Sequence, residues 1–196
     1  FASFVHWTVA FTAGLALYAL FCAVGTDAAR RVVGVVPVVA GVMAVVRAAS
    51  AFGSPLLGGR GGLVALMPAA LLAGSALAGM LLGHWYLISP DLSFRPLRRI
   101  VLLIFVTIGL QAATIVMALL VAGPAARQQV LTDVSFWLLV VATGVLATAG
   151  INGLTYYFAR IRANQPATAM LYVLIVASLM GVIPAHLLYF STQVPV

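Results

Sequence analysis

Six continuous apolar stretches govern what this chain can become: approximately Ser3–Val24, Val32–Phe52, Leu63–Ile88, Leu97–Ala122, Val134–Tyr157 and Thr168–Phe190. The hydrocarbon core of a bilayer, about 30 Å thick, is crossed by about 20 apolar residues wound as a helix. Each stretch reaches that length. Strands of a membrane barrel alternate lipid-facing and lumen-facing residues, so continuous runs of this kind exclude a barrel. Of the 196 residues, 64% are hydrophobic and 7% charged, whereas a water-soluble domain carries about 25% charged residues. The expected fold is therefore all-α: a polytopic integral membrane bundle of six transmembrane helices. The intervals between the stretches hold the breakers and charges and are too short to fold alone, so 1–196 reads as a single transmembrane domain.

All ten basic residues are arginine, and the three acids are Asp27, Asp91 and Asp133. The intervals after the first, third and fifth stretches hold Arg30, Arg31, Arg95, Arg98, Arg99, Arg160 and Arg162, while the opposite intervals hold only Arg60 and Arg127. Positive residues collect on the cytoplasmic side of a membrane, which predicts that both chain ends face outside a cytoplasmic (inner) membrane of bacterial type. The net charge of +7 is thus a topology signal. The arginines are not interleaved with aromatics into a patch, so a nucleic-acid partner is not expected. The numbering opens on Phe1 rather than Met, which predicts a removed leader or further chain upstream.

Aromatic residues cluster at the predicted boundaries, Trp7, Phe136, Trp137, Tyr189 and Phe190 on one side and Trp85, Tyr86, Tyr156, Tyr157 and Phe158 on the other. Amphipathic rings anchor at membrane interfaces. Ser75, Gly79 and Gly83 step along the third stretch at helix-contact spacing, as do Ala149 and Gly153 on the fifth. Small residues let helix backbones approach in lipid, so these positions are expected to mark helix contacts. Pro37, Pro68 and Pro184 lie within stretches and are expected to kink a helix or free a carbonyl. The one cysteine, Cys22, has no partner for a disulfide or a thiolate metal site and reads as a buried structural thiol.

Function is sought among the ionisable residues inside the spans, because each is costly there. His6, Arg47, Asp133 and His186 all fall near the predicted outer face. Two imidazoles at one depth could ligate a b-type haem axially with an arginine on a propionate, or the same groups could hold a quinone headgroup. His6, His186 and Arg47 are accordingly the candidate cofactor-binding residues; simple hydrogen bonding, and an Arg47–Asp133 pair, are the structural alternatives. The opposite face carries Gly83-His84-Trp85-Tyr86 followed by Asp91, Arg95, Arg98 and Arg99. His84, Tyr86, Asp91 and the three arginines are candidates for proton exchange and for contact with an anionic lipid headgroup or a partner subunit. His84 and Ser89 recur as His186 and Ser191 at the end of the sixth stretch, a spacing compatible with an inverted repeat of three spans.

No carboxylate pair, histidine-rich metal motif, serine elbow or phosphate-binding loop is present, so a chain catalytic on its own is not expected. Gly58-Gly59-Arg60-Gly61-Gly62 reads as a turn before a membrane helix. Three functions are left. The favoured one is an integral membrane subunit of a respiratory or photosynthetic electron-transfer complex. It would contact membrane lipids, anchor other membrane and peripheral redox subunits, and touch quinone or haem. The second is a small-solute or lipid transporter or channel, for which Thr107, Gln111, Thr114, Thr143, Thr148 and Ser178 are uncharged mid-span polar groups. The third is a membrane scaffold.

Overall fold

The computed structural model describes residues 2–51, 60–89 and 93–195; Asp91, and the side chains of Asp27 and Arg30, lie outside the described residues. In chain order the elements are α1 (Ala2–Val24), α2 (Asp27–Ala51), α3 (Gly61–Ile88), α4 (Arg95–Val121), α5 (Pro124–Thr132), a π-wound segment (Phe136–Ala147) running directly into α6 (Thr148–Arg160), and α7 (Asn164–Thr192). The described residues contain no strand. Six of these helical spans are long and apolar enough to cross a membrane, the π segment and α6 counting as one. Lipid offers the backbone no hydrogen-bond partners, so helices that satisfy their own amides are the available solution. Each observed span overlaps its expected stretch and overruns it by at most a few residues, because apolar composition fixes the length while end residues add a turn.

The chain divides into two compact units, 1–63 and 64–196. That division assigns two spans to one unit and four to the other, unlike the three and three of an inverted repeat.

In the first unit α1 and α2 form an antiparallel hairpin zipped by small residues. A Cβ on Gly34 would lie 3.1 Å from the Tyr18 ring, and one on Gly41 3.1 Å from the Phe11 ring. Pro37 sits between these two glycines, under Gly14, and the helix continues through it. Few residues of α1 are fully buried, so much of its surface faces outward. Cys22 is part of that surface, contrary to the buried thiol expected. A thiol is apolar enough for a lipid-facing position, where hydropathy gives no cue to facing.

The second unit packs α3, α4, the π–α6 span and α7 around Leu72, Ala76, Tyr86, Leu97, Ile104, Ile108, Ala159, Ala167, Leu171 and Leu174. Gly79 and Gly83, singled out by spacing, admit the Leu171 side chain of α7. The tightest approach lies elsewhere, at Gly144 of the π segment and Gly181 of α7, where a Cβ built on Gly181 would fall 2.2 Å from the Gly144 Cα. The π winding shows in hydroxyl bonds that reach five residues back, Thr143 Oγ1 to the Leu138 carbonyl at 2.8 Å and Thr148 Oγ1 to the Thr143 carbonyl at 3.0 Å. It lines up a buried stripe repeating every four residues, through Phe136, Val140, Gly144, Thr148 and Asn152.

Gly123–Thr132, expected as a connecting interval, carries α5, with Pro124 in its first turn where a missing N–H costs nothing. Arg127 caps the end of α4 by donating to the Ala122 carbonyl at 3.1 Å, and the Trp137 indole N–H donates to the Leu131 carbonyl at 2.9 Å. The boundary aromatics also divide by rotation. Tyr86, Phe136 and Tyr189 are fully buried, while their neighbours Trp85, Trp137 and Phe190 are exposed. Consecutive helix residues differ by roughly 100°, so a pair of adjacent rings gives one to the core and one to the interface.

Substituting Gly181→Ala is expected to destabilise the second unit by about 1–3 kcal/mol through overpacking against backbone that cannot yield. Gly109→Ala and Gly150→Ala meet nothing within 4 Å and should be neutral or slightly stabilising. Denaturation in mixed micelles, followed by circular dichroism, checks all three.

Candidate functional site

The helix ends of the second unit that carry the arginines also carry the densest group of chemically competent side chains. Thr168 Oγ1 of α7 donates to the Gly83 carbonyl of α3 at 2.9 Å. A Cβ on Gly83 would lie 3.0 Å from Leu171 and 3.2 Å from Thr168 Oγ1, so this glycine permits the approach. One turn beyond Thr168, Tyr172 comes level with His84, and the phenol oxygen lies 3.3 Å from His84 Nδ1. His84 is exposed, Tyr172 is 43% exposed and Trp85 58% exposed. All three point outward from the bundle.

Tyr86 does not join them. It is 1% exposed, its hydroxyl donates to the Ser93 carbonyl, and its ring stacks on Phe94 with centroids 5.2 Å apart. It pins the connection from α3 to α4, a structural duty that leaves nothing to offer a ligand.

Arg95, Arg98 and Arg99 stand exposed on the first turns of α4, and Arg160 and Arg162 are exposed at the end of α6. α4 and α6 run antiparallel, tied by Asn152 Nδ2 donating to the Val101 carbonyl at 3.0 Å, so the five arginines occupy one end of the unit. None has an ion-pair partner among the described residues. Three of them sit at a helix N-terminus, where the macrodipole disfavours cations by a few tenths to 1 kcal/mol each. Stability does not account for that placement.

The bundle interior holds a second polar group. Ser75, Thr107, Thr114, Thr148, Thr155 and Ser178 are buried, and each hydroxyl lies within 3.0 Å of a carbonyl on its own helix. Ser75 and Thr107 also meet across α3 and α4 at 3.2 Å. The side-chain carbonyl oxygens of Gln111 and Asn152 are buried without a hydrogen-bond partner.

Of the candidate cofactor residues, His6 and Arg47 belong to the first unit and His186 to the second, which also holds Asp133. His6 and Arg47 are exposed. His186 hydrogen-bonds the backbone of Ala65, and its Nε2 is buried without a partner. Asp133 caps the π segment, accepting from the Ser135 backbone N–H at 2.8 Å and from the Ser135 hydroxyl. These bonds, the hydroxyl's first, hold its carboxyl below the ordinary value of 3.8. Among the described residues no group of three or more His, Cys, Asp or Glu side chains could hold a metal ion. No protein family model, curated protein or solved structure matches the chain.

Sequence reasoning missed Tyr172, whose spacing of four from Thr168 is the only cue to its level, and Asn152, whose presence in a span was the available signal. Asn152→Ala should cost about 1 kcal/mol, in the range of interhelical hydrogen bonds in membranes, read as a lower denaturation midpoint in mixed micelles. Asp133→Asn is expected to lower thermal stability near pH 7. Because the folded carboxyl titrates below the unfolded one, the wild-type advantage is present above pH 3.8 and lost as pH falls through the depressed folded value. Melting curves of both proteins should therefore converge in acid.

Proposed function

We propose that this chain is an integral membrane subunit of an electron-transfer assembly, with the arginine-rich end of the second unit as the platform on which acidic redox partners dock. The observation that supports this reading is the set of five exposed arginines that have no ion-pair partner among the described residues, three of them placed against a helix dipole. Long exposed cations favour encounter and orientation of an anionic surface. Of the two cofactors expected, quinone suits the hydrogen-bonding groups of this chain more simply.

The positive-inside rule assigns the arginine end to the cytoplasmic face. Because α7 runs away from that end, the C-terminus is then outside. A C-terminal alkaline phosphatase fusion should be active, and a C-terminal green fluorescent protein fusion dark; the reverse pattern would invert the proposed orientation.

A transporter is the competing reading, favoured by the unpartnered Gln111 and Asn152 oxygens within the spans. Purification from native membranes in mild detergent separates the two. Co-purifying cytochromes or iron–sulfur proteins are expected, released by moderate salt and depleted severalfold in Arg98→Gln/Arg99→Gln/Arg160→Gln. A colourless, partner-free protein that carries solute across reconstituted vesicles would replace the subunit reading with transport.

A further inference from the structure

We infer that His84 and Tyr172 form a headgroup site for a membrane-dissolved quinone on the lipid-facing surface of α3 and α7. This inference rests on the electron-transfer reading for its purpose, although the binding it describes is measurable without any partner.

An imidazole on the lipid-facing side of a span is costly and ordinarily turns to a bundle interior or pairs with a charge. His84 does neither. It stays outward, one turn before the end of α3, and the Tyr172 hydroxyl meets its Nδ1 at 3.3 Å. The two residues are fixed in place from behind. The Thr168 hydroxyl is bonded to the Gly83 carbonyl, one residue from His84 and one turn from Tyr172, and the missing Cβ of Gly83 sets the helix separation there. A ligand would therefore meet a pair already oriented, with little ordering cost on binding.

The pair is complementary to a particular kind of molecule. One hydrogen bond joins Nδ1 to the phenol, which leaves Nε2 and the outer side of the phenol to face outward from the bundle. Imidazole and phenol each donate or accept according to where their protons sit. The surrounding surface is apolar, with Leu81, Leu87, Val173 and Val176 exposed. The matching ligand has a long apolar body and an uncharged head whose oxygens accept as carbonyls in the oxidised form and donate as hydroxyls in the reduced form. That is a quinone and its quinol. An anionic phospholipid matches less well, since its head offers acceptors and charge and is drawn to the arginines.

Trp85, exposed and adjacent to His84, provides the readout, because quinones quench indole fluorescence at short range. The chain has three tryptophans, so Trp7→Phe/Trp137→Phe leaves Trp85 alone. Purified protein of this background, in neutral detergent, is titrated with a decyl-substituted benzoquinone. Saturable quenching is expected, weakened about tenfold by His84→Phe and severalfold by Tyr172→Phe, the effect of losing one hydrogen bond each. His84→Gln, which keeps a polar group, should bind better than His84→Phe and serves if the latter fails to fold. Quenching that rises linearly without saturation, or saturates equally in all variants, overturns the site. So does displacement of the quinone by phosphatidylglycerol with the same dependence on His84, which would make it a lipid headgroup site. Saturable binding in a protein that purifies without redox partners would retain the site and remove the subunit function; the opposite result would do the reverse.

Discussion

Helices in lipid cannot gain by expelling water from between apolar faces, so association in the second unit rests on how closely backbones can come together. Gly144 and Gly181 set that distance, each occupying the space a Cβ would need on the other. From this contact α7 runs along α3 to the Thr168–Gly83 bond, while the span bearing Gly144 continues to the Asn152–Val101 bond with α4. The hydrogen bonds are few and individually weak, and at the Thr168–Gly83 bond the separation is one that glycine permits. In the first unit the same logic takes another form, with the rings of Phe11 and Tyr18 laid onto Gly41 and Gly34.

The number and extent of the spans were legible because both depend on apolar length, which a bilayer dictates and a sequence displays. Facing was not. A helix surrounded by lipid is apolar on all sides, so the cue that orients a helix in a water-soluble protein is missing, and Cys22 and the paired boundary aromatics could not be assigned inward or outward. Small-residue spacing recovered part of it, correctly marking Gly79 and Gly83, but Gly144 and Gly181 lie in different spans and share no local pattern. α5 was hidden for another reason. Its nine residues are too polar to register as a span, and caps from Arg127 and Trp137 hold it in place.

The candidate residues were grouped from sequence by depth alone, and depth is shared by everything at one interface. His84 and the arginines do occupy one end of the second unit, where helix direction and two interhelical hydrogen bonds bring them together. Tyr86, adjacent in sequence, is turned into the core and committed to Ser93. His6 and Arg47 lie in a different compact unit from His186 and Asp133, a division that no property of the individual residues announced. Tyr172 entered the site only because α7 is locked in register with α3.

The π winding between Phe136 and Ala147 also governs residues it does not contain. At roughly 100° per residue, an ordinary α-helix would set Phe136 and Thr148 about 120° apart around the axis, whereas here both lie on the buried side. The segment and α6 together present Gly144 to α7 and, farther along the same span, Asn152 to α4. Rewinding the segment to a tighter pitch would rotate α6 as a rigid rod and swing Asn152 off α4, taking the arginines at its far end with it, so the azimuth of that basic end is set from the opposite side of the bilayer.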